Sequence, residues 1–293
     1  MLFSTLRRRV CLAALLWAGT RAACCAQSPT PAPVPAPAPP ATVPPVVPMP
    51  PLSAAPGRLD LTLLQKALSP LVNSRVADCE SEMTLYAAKA GATITLREHL
   101  RVTARRPGRF ASDVTLQGAP GDKPTRYLVV SDGLKVMTVR PGLRKYSVMP
   151  LAQFQAGDDD FPSLGLVVGL LYLGDTSFIK GLSSISKDNT GQSQAMLRKL
   201  GMAMTVKPTL VDGATTTLFT LLIGKVGAYK FYVNPQTQQM AQVELRTVQD
   251  GVTIRLVERL VSFNPLMTTP PGTFVLAPPP DAQKVKQLTV SFF

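Results

Sequence analysis

The chain is poor in the side chains from which most catalytic and metal sites are built. It has a single histidine, His99, in 293 residues, which excludes a multi-histidine metal site and leaves little room for imidazole-based catalysis. Of its four cysteines, Cys11, Cys24 and Cys25 fall in the first 25 residues, and only Cys79 lies beyond them. A disulfide scaffold and a cysteine-built zinc site are therefore excluded. Nowhere does an apolar run reach the ~18 residues that mark a membrane-spanning helix. The sequence also lacks G-x-S-x-G, H-E-x-x-H, G-x-x-x-x-G-K-[ST] and G-x-G-x-x-G, the motifs of the common hydrolases, zinc peptidases and nucleotide-binding folds. Apolar content is ample: 45% of residues are hydrophobic. Wholesale disorder is excluded on that ground, and the length suits one or two domains.

The first 26 residues read as an export signal. Arg7, Arg8 and Arg9 precede the apolar run Val10 to Gly19, and Ala22, Ala23, Cys24, Cys25 and Ala26 follow as small residues. The run is too short to span a bilayer core of ~30 Å but has the length of a signal-peptide core. A cut after Ala26 leaves Gln27 first. The competing reading is a lipoprotein signal, with Cys24 or Cys25 carrying lipid. Arg21 stands where an aliphatic residue would precede a lipidated Cys24, and Ala22 takes that place for Cys25.

Thirteen of the 28 prolines crowd between Pro29 and Pro56. Proline removes backbone donors and fixes φ, so residues 27–57 favour extended polyproline II and cannot pack a core. At ~3.1 Å per residue such a spacer reaches on the order of 90 Å; a disordered leader fits the composition equally. Loss of residues 1–26 removes Arg7, Arg8, Arg9 and Arg21 and no acid, so the formal charge falls from +13 to +9. A basic exported protein is attracted to anionic membrane surfaces. The basic residues are dispersed and no nucleic-acid motif is present, which argues against a nucleic-acid partner.

The folded part, residues 58–293, starts with a helix. Leu61, Leu64, Leu68 and Leu71 repeat on one helical face, with Asp60 as a cap and Pro70 and Asn73 as the stop. Alternation follows. In Thr93 to Arg105, Ile94, Leu96, Leu100, Val102 and Ala104 point one way, with Glu98 the apolar row's exception, and Arg97, His99 and Arg101 point the other. Neighbouring strands are expected at Asp78 to Ala88, Phe110 to Leu116, Arg126 to Val130, Leu134 to Val139 and Lys145 to Met149. A second set is expected at Ala203 to Val211, Ala214 to Ile223, Val226 to Val233, Gln239 to Val248 and Val252 to Phe263. Asp212-Gly213 and Asp250-Gly251 supply hairpin turns, and a bulge near Val257-Glu258 is expected where the last strand changes face. Between the sets, Leu164 to Leu173 is apolar all round and Gln192 to Leu200 reads as a short helix. The expected fold is mainly β with a few helices: about eleven antiparallel strands in one curved sheet, helices over one face.

Polar candidates outside this pattern have ordinary explanations. His99 stands among arginines on a wet strand face. Asp158, Asp159 and Asp160 precede a helix, where carboxylates complement the dipole. Cys79 begins a strand as a small hydrophobe.

Four segments occur in a recognisable order: Arg106-Pro107-Gly108-Arg109-Phe110, then Leu128 to Lys135 (LVVSDGLK), then Tyr232 to Thr237 (YVNPQT), then Phe274 to Ala282 (FVLAPPPDA). Their order and spacing resemble the outer-membrane lipoprotein carrier superfamily, the LolA/LolB-like proteins, and within it the periplasmic group known as DUF2092. The resemblance covers most of Ala77 to Val285. It implies an incomplete, half-open antiparallel barrel of about eleven strands with a helical lid over an apolar cavity. It implies a non-enzymatic role without a cofactor or metal: a periplasmic carrier that holds the acyl chains of a lipid or lipoprotein. The alternative on the same fold is an envelope-stress sensor that binds an envelope protein partner.

On that reading Ile94, Leu96, Leu100 and Val102 line the cavity and Leu166, Leu170 and Tyr172 cover it; the same residues would also fill an ordinary core. In the family's lipoprotein carriers the arginine of the R-P turn bonds lid-helix carbonyls and holds the empty cavity shut. Arg106 matches that position here, and a solvated turn arginine is its plainer alternative. Where the family often has an aromatic after the turn's Phe, this chain has Ala111-Ser112-Asp113, a departure that favours a divergent relative over lipoprotein handover.

Overall fold

The computed structural model describes residues 61–89, 92–118, 121–156, 160–169, 197, 202–223, 227–249 and 251–290. Helix α1 (Thr62–Asn73) forms on the leucine periodicity: Leu64, Ala67, Leu68 and Leu71 are buried along one face. Each of the three leucines contributes about 1.5–3 kcal/mol of burial. The helix ends at Asn73, the expected stop, with Pro70 inside its last turn. In the last turn Pro70 forfeits one amide donor, and the end is secured locally instead: Ser74 donates both its N–H (3.2 Å) and its hydroxyl (2.5 Å) to the Pro70 carbonyl. Leu61 occupies the N-cap; Asp60 lies outside the described residues.

Six strands follow: β1 (Val76–Lys89), β2 (Ala92–Arg105), β3 (Arg109–Gln117), β4 (Thr125–Asp132), β5 (Lys135–Arg140) and β6 (Lys145–Pro150). Helices α2 (Leu151–Ala156) and α3 (Asp160–Val168) come next. Five more strands complete the chain's second half: β7 (Met202–Val211), β8 (Ala214–Ile223), β9 (Gly227–Val233), β10 (Met240–Gln249) and β11 (Val252–Leu266). A short β12 (Gln283–Lys284) follows. The strand order is β12-β6-β5-β4-β3-β2-β1-β11-β10-β9-β8-β7. Two antiparallel meanders thus run outward from a seam where β1 pairs with both β2 and β11. The sheet is open, a half-open antiparallel barrel in which β7 and β12 are unjoined edges. The Gln192 to Leu200 helix, apart from the buried, helical Leu197, falls outside the described residues, as do Asp158 and Asp159. No helix among the described residues is long and apolar enough to cross a membrane.

The motif segments meet as turns. The Arg106–Pro107 peptide is cis, and Gly108 takes a positive φ of 63° with Leu151 packed where a Cβ would project. Ser131 donates its hydroxyl to the Gly108 carbonyl at 2.7 Å, which ties this turn to the β4–β5 hairpin. In that hairpin Asp132 Oδ1 accepts the Leu134 and Lys135 amides, both at 2.8 Å. Asn234 does the same for Gln236 and Thr237. These Asx turns set strand registers. The C-terminal segment returns to the β6 edge: β12 pairs with β6 in parallel, the Leu288 amide donates to the Ser147 hydroxyl at 3.1 Å, and Val290 is buried in the core. Burying that edge removes a row of exposed backbone donors and acceptors.

One expectation about β11 is corrected. Glu80 pairs with Ser262 and Ser81 with Leu260, so the extra residue is Val261 and the bulge lies three to four residues later than Val257-Glu258. Alternation therefore runs unbroken through Val252, Ile254, Leu256 and Glu258, all buried on the same face. The sheet accepts an inward glutamate because a helix supplies it with a backbone partner.

Candidate functional site

Helices α1 and α3 cover one face of the sheet. Helix α1 packs on β9 and β11, and α3 on β1, β2, β3 and β11. The registers place the inner-face residues of β2, β1 and β11 in rungs: Leu96–Leu85–Leu256, then Glu98–Met83–Glu258, then Leu100–Ser81–Leu260. Leu96, Leu100 and Val102 are buried in this floor, and Ile94 is half-buried against it. Leu166 is buried in α3, in the same cluster. The structure thus brings these predicted residues together on either side of the α3–sheet contact. Leu170, Tyr172, Cys24 and Cys25 lie outside the described residues.

Arg106 leaves the cis turn directed at the end of α1. Its Nη1 donates to the Val72 carbonyl at 2.5 Å and its Nη2 to the Leu71 carbonyl at 3.2 Å. These are carbonyls of the last turn, which have no partner within the helix. A cation there also complements the negative end of the helix dipole. A charged hydrogen bond of this type contributes about 1.5–3 kcal/mol.

Helix α3 is held differently. It is broken at Gly165, whose φ of 71° and ψ of 173° lie outside the helical region. A Cβ at Gly165 would collide with Glu258 Oε1 and crowd Leu100, so glycine is required for both conformation and space. Through this break the Glu258 carboxylate reaches the backbone, and the Val167 N–H donates to Oε2 at 2.8 Å. On the other side of the break, the Ser112 hydroxyl donates to the Ser163 carbonyl at 2.5 Å. Two β-strand side chains therefore fasten α3 through its main chain.

Glu258 is 0% exposed and Glu98 3%. Among the described residues both oxygens of Glu98, and Oε1 of Glu258, have no hydrogen-bond partner. Burial, with the neighbouring Glu258 charge, holds Glu98 well above the usual carboxylate range. Burial pushes Glu258 up to about 7, against the pull of the Val167 amide. Glu98 was visible in the sequence as an acid in an apolar row. Glu258 was missed because an inferred change of face turned it outward; the signal that could have found it is the glycine in the apolar insert, which implies a close neighbour. Ser112 gave no signal.

The opposite face of the central strands has a cleft of about 510 Å³ whose lining includes Asp78, Glu80, Arg101, Asp113 and Asn264. Two of its three carboxylates are paired with basic side chains, while Asp78 Oδ1 has no hydrogen-bond partner among the described residues. Glu80 Oε1 is 2.9 Å from His99 Nε2 and 3.2 Å from Arg101 Nη2, which holds the Glu80 carboxyl below its ordinary value. Asp113 is clamped by Arg126 at 2.6 and 2.8 Å. His99 is thus a surface partner of a carboxylate. Cys79 is buried and free, and burial pushes its thiol up, away from reactivity. Among the described residues no group of three His, Cys, Asp or Glu could hold a metal ion.

No family model and no curated protein matches the chain. Solved structures do. One is the LolA superfamily protein NE2245 from Nitrosomonas europaea, with 11% identity over 73% of this chain and 96% of that one and a TM-score of 0.28. Another is a DUF1329 family protein from Desulfovibrio piger, with 13% identity over 74% and 98% and a TM-score of 0.32. The Pseudomonas aeruginosa MucA/MucB complex matches with 10% identity over 69% of this chain and a TM-score of 0.30; there the chain spans 56% of its counterpart. The structural neighbours thus include the LolA superfamily that the four sequence segments resemble.

Proposed function

We propose that this chain is an exported, non-enzymatic carrier that holds acyl chains of a lipid or lipoprotein between the inner face of its sheet and the helices above. In this reading residues 1–26 direct export to the periplasm, residues 27–57 are a spacer and residues 58–293 form the binding domain. The observation that carries it is how the cover is attached. Both helices lie on an apolar floor but are fastened by a few polar ties to their main chains: Arg106 to α1, Glu258 and Ser112 to α3. Ties worth a few kcal/mol suit a cover that must open. The driving force is large: at ~0.8 kcal/mol per buried CH₂, a 16-carbon chain gains on the order of 12 kcal/mol by leaving water.

Native mass spectrometry of the gently purified protein tests the reading. Co-purifying acyl mass, displaced by a fluorescent fatty acid, is the expected result. A clean apo mass together with no fatty-acid uptake overturns it, and capture of an envelope protein by that apo form would favour the sensor alternative. Arg106→Leu should accelerate fatty-acid uptake or slow its release; unchanged kinetics would remove Arg106 from the latch role. Intact mass of the mature N-terminus distinguishes a start at Gln27 from a lipidated Cys24 or Cys25.

A further inference from the structure

Two carboxylates beneath α3 have no role in apolar binding as such. Glu98 on β2 and Glu258 on β11 flank Met83 in one rung of the inner face. Among the described residues only one of their four oxygens, Glu258 Oε2, has a hydrogen-bond donor. That donor belongs to α3, on the far side of a glycine that rests against the same carboxylate. We infer that Glu98 and Glu258 form a proton-operated catch for α3, seated on the sheet while the pair is protonated and lifted when both carboxylates ionise.

The surroundings make two charges untenable with α3 in place. From β1 the pair meets Ser81 and Met83, with the buried Cys79 thiol nearby; from β10 it meets Val243, and from β3 Leu116. From α3 come Gly165, Leu166 and Val167. Among the described residues no Lys, Arg or His faces either carboxylate; burial raises the cost of ionising both, and the Glu258 charge adds to that cost at Glu98. The Val167 amide stabilises one ionised group. A second ionised group needs water or a cation. On the strand side the pair's own rung is paired from β2 through β1 to β11, with the bulge at Val261 beyond the next rung, so the proposed entry for water is through the helix cover. The protonated pair needs no such entry, since a protonated carboxyl has its own donor and can remain in a dry core.

The inference rests on the carrier reading in treating α3 as a cover, so the test measures the cover and the cargo separately. Hydrogen exchange at the Leu166 and Val167 amides of the full mature chain is followed from about pH 5.5 to about pH 8.5, corrected for the intrinsic base-catalysed rate. Uptake of a fluorescent fatty acid is followed over the same range. Protection should fall by about tenfold or more as the pair ionises, with uptake accelerating in parallel. Glu98→Gln leaves the Glu258–Val167 bond intact and should flatten the protection profile; Glu258→Gln, if it folds, should do so too. Flat protection in the unmodified protein overturns the catch, even if fatty acid binds. A pH-dependent α3 in a protein that takes up no fatty acid supports the catch and overturns the carrier reading. A Glu98→Gln variant that keeps the full pH dependence overturns the assignment to the pair.

Discussion

The two faces of the sheet each bury glutamate, with opposite consequences. On the outer face Glu244 is 1% exposed and is met by Lys230 Nζ at 2.7 Å and Arg255 Nη2 at 3.1 Å, with the Tyr232 hydroxyl at 3.3 Å. Burial pushes its carboxyl up, but Arg255 and Lys230 outweigh it and the net shift is downward. On the inner face Glu98 and Glu258 are buried as deeply, meet no cation among the described residues, and are shifted upward. Depth alone does not decide the state of a buried acid; the available partners do. The outer cluster holds a permanent charge in a fixed network, whereas the inner pair can change its charge.

The strongest way to break the contrast is to close the space through which Glu258 meets α3. Gly165→Val adds a side chain where Oε1 lies and imposes a positive φ on a β-branched residue. It should cost about 2–5 kcal/mol, measured by urea denaturation, or detach α3 outright; a neutral effect would mean that the Gly165–Glu258 contact is not formed in solution.

Truncating one acid from each face sharpens the comparison. At neutral pH Glu98→Leu should stabilise by about 1–3 kcal/mol, because an unsatisfied carboxyl is exchanged for an apolar group. Glu244→Ala should destabilise by about 1–3 kcal/mol; Lys230 and Arg255 are partly exposed and regain water, which keeps the cost below that of a fully enclosed pair. Equal signs in the two measurements would overturn the distinction.

The pH dependence of stability carries the same contrast with its sign. Glu258 has a folded-state value of about 7 against an ordinary 4.5. Its contribution is fully present below the ordinary value and is lost as pH rises through about 7; Glu98 acts in the same direction. Glu244 is shifted downward, so its contribution is present above 4.5 and is lost as pH falls through its lowered folded value. Chemical denaturation should therefore show stability highest in mildly acidic solution and declining toward pH 8, with the neutral limb reduced in Glu98→Gln. A stability that rises steadily through neutrality would contradict the inner-face account. The smallest effect belongs to His99→Ala, which should leave the melting temperature nearly unchanged because its partner Glu80 is solvated.

Most of the fold was legible in the sequence because its strands obey local rules. The alternation in Thr93 to Arg105 returned as β2 almost residue for residue, and Asp212-Gly213 as the β7–β8 hairpin with both residues at positive φ. Where local rules compete, legibility failed. Leu164 to Leu173 read as a uniformly apolar helix, yet Gly165 breaks α3 within it. The β11 bulge was misplaced because the period-2 pattern around Val257 contains apolar residues on both faces, and only the pairing with β1 selects Val261 as the extra residue.

Local pattern therefore determined the strands, their turns, the leucine face of α1 and the position of Arg106 at the R-P turn. Periodicity and turn chemistry act over a few residues and need no knowledge of what lies across the sheet. The partners were decided only by the tertiary structure: Arg106 with Leu71 and Val72, Glu258 with Val167, and Glu98 with no hydrogen-bond partner among the described residues. Those contacts join segments from 34 to 91 residues apart, and the charge of a buried group depends on whatever the fold happens to bring beside it.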